Sequence, residues 1–335
     1  MVYNQRCVCI TSDGIIEGTT QNYFEMANEP KIAVIGSTNM DMVVNTDRIP
    51  VPGETILARN FFMNPGGKGA NQAVAVARLG GKVIFVSKVG NDVFGHQSFQ
   101  LFNAEGIDSR FVLSDDELPS GVALITVDKN GENTIVVNQG ANGTLLPKDI
   151  SPEILEELGQ CDILLMQFEI PMETILFIAK FAVSKGIRVI VNPAPAHEIP
   201  TELLKYLYLI TPNEVEAGLL AGMEIKSVED SYDAAKTIMK KGIQNVIITL
   251  GSQGALVCED GVLTHVEGDK VIAKDTTAAG DVFNGALVTW LSRGMSLTDA
   301  VKFACKVAAI SVTREGAQSS IPYLNEVVTN FINPT

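Results

Sequence analysis

The sequence predicts an α/β fold with a mostly parallel central sheet, and three observations carry that prediction. From Lys31 onward, apolar runs of strand length alternate with longer segments of helical period, which implies right-handed crossovers between parallel strands. Polar residues gather where those runs end, at Gln167, Glu169, Asn192, Asn213 and Gly251, and in such sheets ligands sit beyond the carboxyl ends of the strands. The 335 residues, 46% of them hydrophobic, are enough for one large core or two domains.

Taken in order, strands are expected at 32–36, 83–89, 162–168, 188–192, 207–211, 246–250 and 255–258. Helices are expected at 68–79, 94–105, 172–185, 213–221, 231–241, 280–293 and 297–313. Two stretches break the alternation and read as antiparallel strands: 53–62, and the pair 120–127 and 133–138. That pair is joined through Asn130-Gly131, a hairpin signal. Residues 122–125 are apolar on both faces, which a sheet wetted on one side does not tolerate. Such a sheet is either covered on both sides as a lid or buried in the body. Residues 1–29 show no sustained period and no signal-peptide core. They are read as a flexible N-terminal extension preceding one domain over 30–330, with Met26 as an alternative start.

Composition excludes several function classes. A net charge of −14 argues against nucleic-acid or anionic-membrane binding. No run reaches the roughly 18 apolar residues of a membrane span. The five cysteines, at 7, 9, 161, 258 and 305, do not form a disulfide framework. Together with the missing secretory signal, this points to the reducing cytoplasm. The lone histidines His96, His197 and His265 make a zinc site improbable.

Two glycine-rich helix entries carry the chemistry. Asp275-Thr-Thr-Ala-Ala-Gly-Asp281 feeds an amphipathic helix, whose free N–H groups and dipole favour a phosphate. Asp281 lies in the first turn, where an attacking hydroxyl needs a proton acceptor; complementing the helix dipole is the alternative. Asn64-Pro-Gly-Gly-Lys-Gly-Ala-Asn71 opens a second small-residue helix and offers Lys68 and Asn71 at its mouth. It is not a Walker A loop, because Gly69 follows the lysine. The opening segment 32–41 has one glycine where a dinucleotide fingerprint needs three.

From about Lys31 to Tyr323 the chain resembles the ribokinase/PfkB carbohydrate kinase family. Both family signatures are present, around 66–71 and 275–281, with matching blocks at 36–41, 192–196, 211–214, 249–252 and 316–320. The resemblance implies a three-layer fold with a small antiparallel lid sheet, from segments at about 42–64 and 118–140, that clasps a homodimer. It further implies ATP-dependent phosphorylation of the 5-hydroxyl of D-ribose, giving D-ribose 5-phosphate and ADP. Another family kinase, such as a deoxyribokinase or fructokinase, is the rival reading, and a catalytically silent sugar sensor is a second.

The family pattern assigns the sugar to Asn39, Asp41, Gly67, Lys68, Asn71 and Glu169, with Asp281 as general base. Asp41 and Glu169 supply acceptors, the two asparagines supply both roles, and Lys68 only donates. Ala278, Ala279 and Gly280 would hold the charge developing on the transferred phosphoryl group. Nucleotide contacts are implied for Asn213, Thr249, Gly251, Ser252, Gly254, Gly280 and Cys305, the last lying where some relatives carry histidine. Ala278 stands where many relatives have glycine, a change that is tolerable if its φ is negative, as a helix entry permits. Glu216 is implied in magnesium binding, possible through water, although Asn213 and Glu216 also have capping-box spacing. A potassium site is implied at Asp275, Thr277, Ser311, Arg314, Gly316 and Ser320.

Overall fold

The computed structural model describes residues 6–11, 14–19 and 31–332. Its strands are β1 (Arg6–Thr11), β2 (Gly14–Thr19), β3 (Lys31–Ile35), β4 (Asn39–Asn45), β5 (Asn60–Gly66), β6 (Lys82–Gly90), β7 (Val112–Asp115), β8 (Gly121–Val127) and β9 (Asn133–Asn138). They continue as β10 (Ile163–Gln167), β11 (Arg188–Asn192), β12 (Leu209–Ile210), β13 (Asn245–Thr249), β14 (Ala255–Glu259) and β15 (Val262–Val266). The helices used below are α1 (Lys68–Arg78), α2 (Val93–Ala104), α3 (Pro152–Leu158), α4 (Met172–Ser184), α5 (Thr201–Leu204), α6 (Glu214–Ala221), α7 (Val228–Met239), α8 (Ala279–Ser292), α9 (Leu297–Ser311) and α10 (Leu324–Ile332).

The body is a nine-stranded sheet in the order β15-β14-β13-β12-β11-β10-β3-β6-β7. It is parallel from β7 to β13, with β14 and β15 added antiparallel at one edge. Its central strands are apolar runs without alternation because helices cover both faces. Ile32 and Val34 of β3, with Ile163 and Leu165 of β10, enter a core shared with α1, α8 and α9. Ala33, Ile35, Leu164 and Met166 point the other way, into a core shared with α3, α4, α6 and α7. Each such fully buried Leu or Ile contributes about 1.5–3 kcal/mol, so the three layers are held by side chains of the same strands. The sheet's carboxyl edge brings Gln167 and Asn192 to one rim.

The second sheet has four strands, ordered β5-β4-β8-β9. It corrects the sequence reading in two ways. The strand expected at 53–62 lies at Asn60–Gly66, because Pro50, Pro52 and Gly53 (φ 84°) form a turn instead. The sheet is also not wholly antiparallel, since β4 and β8 pair in parallel. Both strands continue outward from parallel body strands, β3 and β7, and so share a direction. β9 is exposed along its whole length, which rules out burial of this sheet in the body.

Smaller differences have local causes. α7 begins at Val228 rather than 231, since Ser227 and Asp230 form a capping box there. β7, β15, α3 and α10 were not expected; each is short or lies next to a turn. β1 and β2 pair as a hairpin where no regular element was expected; Val8, Ile10, Ile15 and Ile16 are β-branched. The rest of the 1–29 extension, including Met26, lies outside the described residues.

Candidate active site

The first glycine-rich entry packs backbone to backbone on the turn after β3. A Cβ on Gly69 would lie 2.5 Å from the Ser37 nitrogen, and one on Gly36 would lie 2.8 Å from the Gly69 Cα. Gly67 has φ 89°, open to glycine at little cost. This contact lets the Ala70 N–H donate to the Ser37 carbonyl at 2.9 Å. One oxygen of Glu169 then accepts from both the Ser37 hydroxyl (2.5 Å) and the Lys68 N–H (3.0 Å). Sequence reasoning missed Ser37, although it lies inside the 36–41 block.

Asn39 and Asp41 stand on one face of β4, next to the body. Asn142 donates to the Asn39 Oδ1 at 2.8 Å, and exchanges hydrogen bonds with the Thr38 backbone at 2.8 and 3.0 Å. The Asn39 amide is thereby fixed with its Nδ2 left to donate. A Cβ on Gly66 would sit 2.2 Å from the Asp41 carboxylate, so the signature's first glycine makes room for that side chain. Burial first, then Glu169 and Asp281, push the Asp41 carboxyl up to about 7 against the opposing pull of Lys68. The Lys68 ammonium, although its own burial works the other way, is held protonated by Asp281, Glu169, Glu216 and Asp41. Four carboxylates from four segments thus converge on one lysine.

Asp281 lies in the first turn of α8 and is 6% exposed. Its Oδ2 accepts from Asn71 Nδ2 and its Oδ1 from Gln72 Nε2, each at 2.9 Å. Burial raises its carboxyl pKa, while Lys68, Asn71 and Gln72 pull it down. A Cβ on Gly280 would meet nothing within 4 Å, so the helix mouth beside the carboxylate is open. Ala278 does not meet the condition of a negative φ: its φ is 61°, in the left-handed region. The 275–277 turn closes on itself, with Asp275 accepting from Thr277 N–H and Ala279 N–H donating to the Thr276 carbonyl. The chain then enters α8 through a left-handed residue, which costs alanine about 1–2 kcal/mol.

The other expected positions fall into two groups. Asn213 and Thr249 meet in a parallel bridge beside Gly251. Gly254 (φ 92°) is required by packing, since a Cβ would strike the Val266 carbonyl at 2.0 Å; Ser252 lies between these glycines. Cys305 is buried in the α9 core, where burial and Asp269 push its thiol up to about 12. Glu216 Oε2 accepts from Asn213 N–H at 2.9 Å while Asn213 Oδ1 accepts from Glu216 N–H at 2.8 Å, the reciprocal capping box. Among the described residues no group of three metal-ligating side chains occurs.

In the second group, Asp275 accepts from Gly316 N–H at 2.8 Å, and Lys274 and Asp275 N–H both donate to the Val312 carbonyl. The structure therefore brings 275–277 against 311–316. Ser311 and Ser320 donate their hydroxyls to the Ala308 and Ala317 carbonyls, and the Arg314 guanidinium turns away to Glu326. Gln318 is 3% exposed, with both amide atoms unpartnered.

Buried carboxylate, opposed lysine and open helix mouth together form a site able to deprotonate an alcohol beside an anion. The model of the pfkB family carbohydrate kinases matches residues 29–324. The chain belongs to the pfkB family of carbohydrate kinases. Among curated pfkB-type relatives, the ribokinase of Haemophilus influenzae is 42% identical over 297 residues, 89% of this chain and 97% of that protein. The deoxyribokinase of Salmonella typhi is 38% identical over 88% of this chain and 96% of its own length. Among solved structures, Arabidopsis thaliana ribokinase complexed with ribose and ATP superposes with TM-score 0.84 at 31% identity, covering 90% of this chain and 98% of that one. The Arabidopsis enzyme therefore has the same overall fold as this chain.

Proposed function

We propose that this protein transfers the γ-phosphoryl group of ATP to the 5-hydroxyl of D-ribose, with Asp281 as general base. The observation that carries the reading is the Asp281 carboxylate, buried and held by Asn71 and Gln72 at the mouth of α8. It is supported by the ribokinase relatives above. In this mechanism Asn39, Asp41, Gly67, Lys68, Asn71 and Glu169 hold the sugar. Carboxylate and amide partners left unpaired by a wrong sugar supply specificity. Asp281 takes the 5-hydroxyl proton as the oxygen attacks in line, and the backbone of Ala278, Ala279 and Gly280 at the open mouth of α8 meets the developing charge.

ATP would lie along Asn213, Thr249, Gly251, Ser252 and Gly254, with Cys305 as a wall. Magnesium bound to the phosphates supplies charge neutralisation; Glu216 fits an indirect, water-borne role because its Oε2 already caps α6. Potassium would be held by Asp275, Thr277, Ser311, Arg314, Gly316 and Ser320, several through carbonyls. The orphaned Gln318 amide in that loop favours a polar occupant nearby. We read residues 30–330 as one kinase domain, working in the cytoplasm as a homodimer clasped through its lid. Exposed Leu124 (55%) and Val136 (67%) support the clasp.

The deoxyribokinase relative keeps 2-deoxyribose as a second reading. ADP release with Mg-ATP, compared across ribose, 2-deoxyribose and fructose with and without potassium, decides between them. Fastest turnover on ribose, raised by potassium and abolished by chelating magnesium, is the expected result; faster turnover on another sugar overturns the substrate assignment.

A further inference from the structure

Behind Asp281 lies a chain of buried amides that the proposed chemistry does not itself use. Gln72 Nε2 donates to Asp281 Oδ1 at 2.9 Å and to Asn192 Oδ1 at 3.1 Å. Its Oε1 accepts from Gln167 Nε2 at 2.5 Å. Asn192 in turn donates to the Thr211 carbonyl at 3.1 Å, and the Thr211 hydroxyl donates to Asn284 Oδ1 at 2.6 Å. Asn284 closes the path by donating to the Gly280 carbonyl at 2.8 Å, one residue before Asp281. Gln72 and Gln167 are 0% exposed, and Thr211 and Asn284 are 1% exposed.

The directions in this chain are forced. A carboxylate only accepts, so Gln72 presents its NH2 to Asp281. Gln167 occupies the remaining oxygen, and turning the Gln72 amide over would set oxygen against two oxygens. The ends of β10 and β11 therefore dictate how an α1 side chain meets an α8 carboxylate. Asn71, the other donor to Asp281, lies among the sugar-binding residues. Gln72 is wholly enclosed and reaches the reacting atoms only through Asp281.

We infer that Gln72 is a positioning residue for phosphoryl transfer: fixed by Gln167 and Asn192, it orients the Asp281 carboxylate and favours its charged form. The inference rests on Asp281 serving as the base. Each Asp281 oxygen keeps a lone pair for a substrate proton after accepting one amide hydrogen. The charged groups facing Asp281 are Lys68 from α1, Asp41 from β4, Glu169 after β10 and Glu216 from α6. Only Lys68 among them opposes burial, so loss of a donor to the carboxylate has a definite sign. A hydrogen bond to a charged group is worth about one to two pH units.

The test compares wild type, Gln72→Leu and Gln167→Met by the pH dependence of kcat and by carboxyl NMR titration of Asp281 in the ligand-free proteins. In Gln72→Leu the acid limb of kcat and the Asp281 titration should both move up by about one to two pH units. Plateau kcat should fall while the sugar KM stays near wild type. Gln167→Met, which removes only the restraint on Gln72 and leaves its donor, should move both in the same direction by less. A lowered kcat with an unmoved limb and an unmoved titration would make Gln72 structural only and overturn the inference. Absence of sugar turnover in wild type would defeat the kinase reading, whereas the NMR titration still decides the positioning role.

Discussion

Asp41 combines two demands that pull against each other. As the proposed sugar acceptor it works best ionised, with both oxygens free to accept, yet burial beside Glu169 and Asp281 holds its carboxyl near 7 in the ligand-free protein. Its folded-state pKa is raised above the ordinary carboxylate value, so its contribution to stability is complete below that ordinary value and is lost as pH rises through about 7. Two results are expected. The kcat/KM for sugar should climb as pH rises towards 7 and level off above it. Asp41→Asn should raise the melting temperature on the alkaline side while weakening sugar binding severely. A flat kcat/KM profile through neutrality, or a lowered melting temperature in Asp41→Asn above pH 7, would contradict this account. Ala278 carries a related tension, because the turn into α8 demands a left-handed residue and receives an alanine.

The lid strands place apolar side chains where the isolated chain leaves them in water. Across the sheet, Met63 pairs with Met42, Met42 with Leu124 and Leu124 with Val136, so all four share the face opposite Asp41. Met63, Leu124 and Val136 are 46%, 55% and 67% exposed. An apolar row of this kind on an exposed sheet suits the proposed clasp. Leu124→Asp should convert a dimer into a monomer in sedimentation at micromolar concentration, and should weaken sugar binding because β4 of the same sheet carries Asn39 and Asp41. A wild-type monomer under those conditions would remove the clasp from the account. Much of this element was legible in the sequence, since the Asn130-Gly131 turn and the two-faced apolar run of 122–125 announce β8 and β9. β4 was not, because its Asn39 and Asp41 are residue types that favour turns.

At the scale of the molecule, the body was readable because fully buried parallel strands need uninterrupted apolar runs, as in β3 and β10. The glycine-rich entries were readable for a similar reason: close backbone approach, as at Gly36 against Gly69, admits few residue types. Gln72, Gln167, Asn142 and Asn284 were not readable as partners. Each is an ordinary amide in sequence and gains its role only when separate segments meet, as β10, β11, α1 and α8 do around Gln72. The whole arrangement converges on one carboxylate, and the central claim is that it takes the sugar's proton. The most direct test is single-turnover phosphorylation of ribose by Asp281→Asn alongside wild type, with ribose affinity measured on both. General bases contribute about 10²–10⁴-fold, so the variant should lose at least roughly a hundredfold in rate with ribose binding largely kept. Transfer at a near wild-type rate would contradict the assignment of Asp281 as the base.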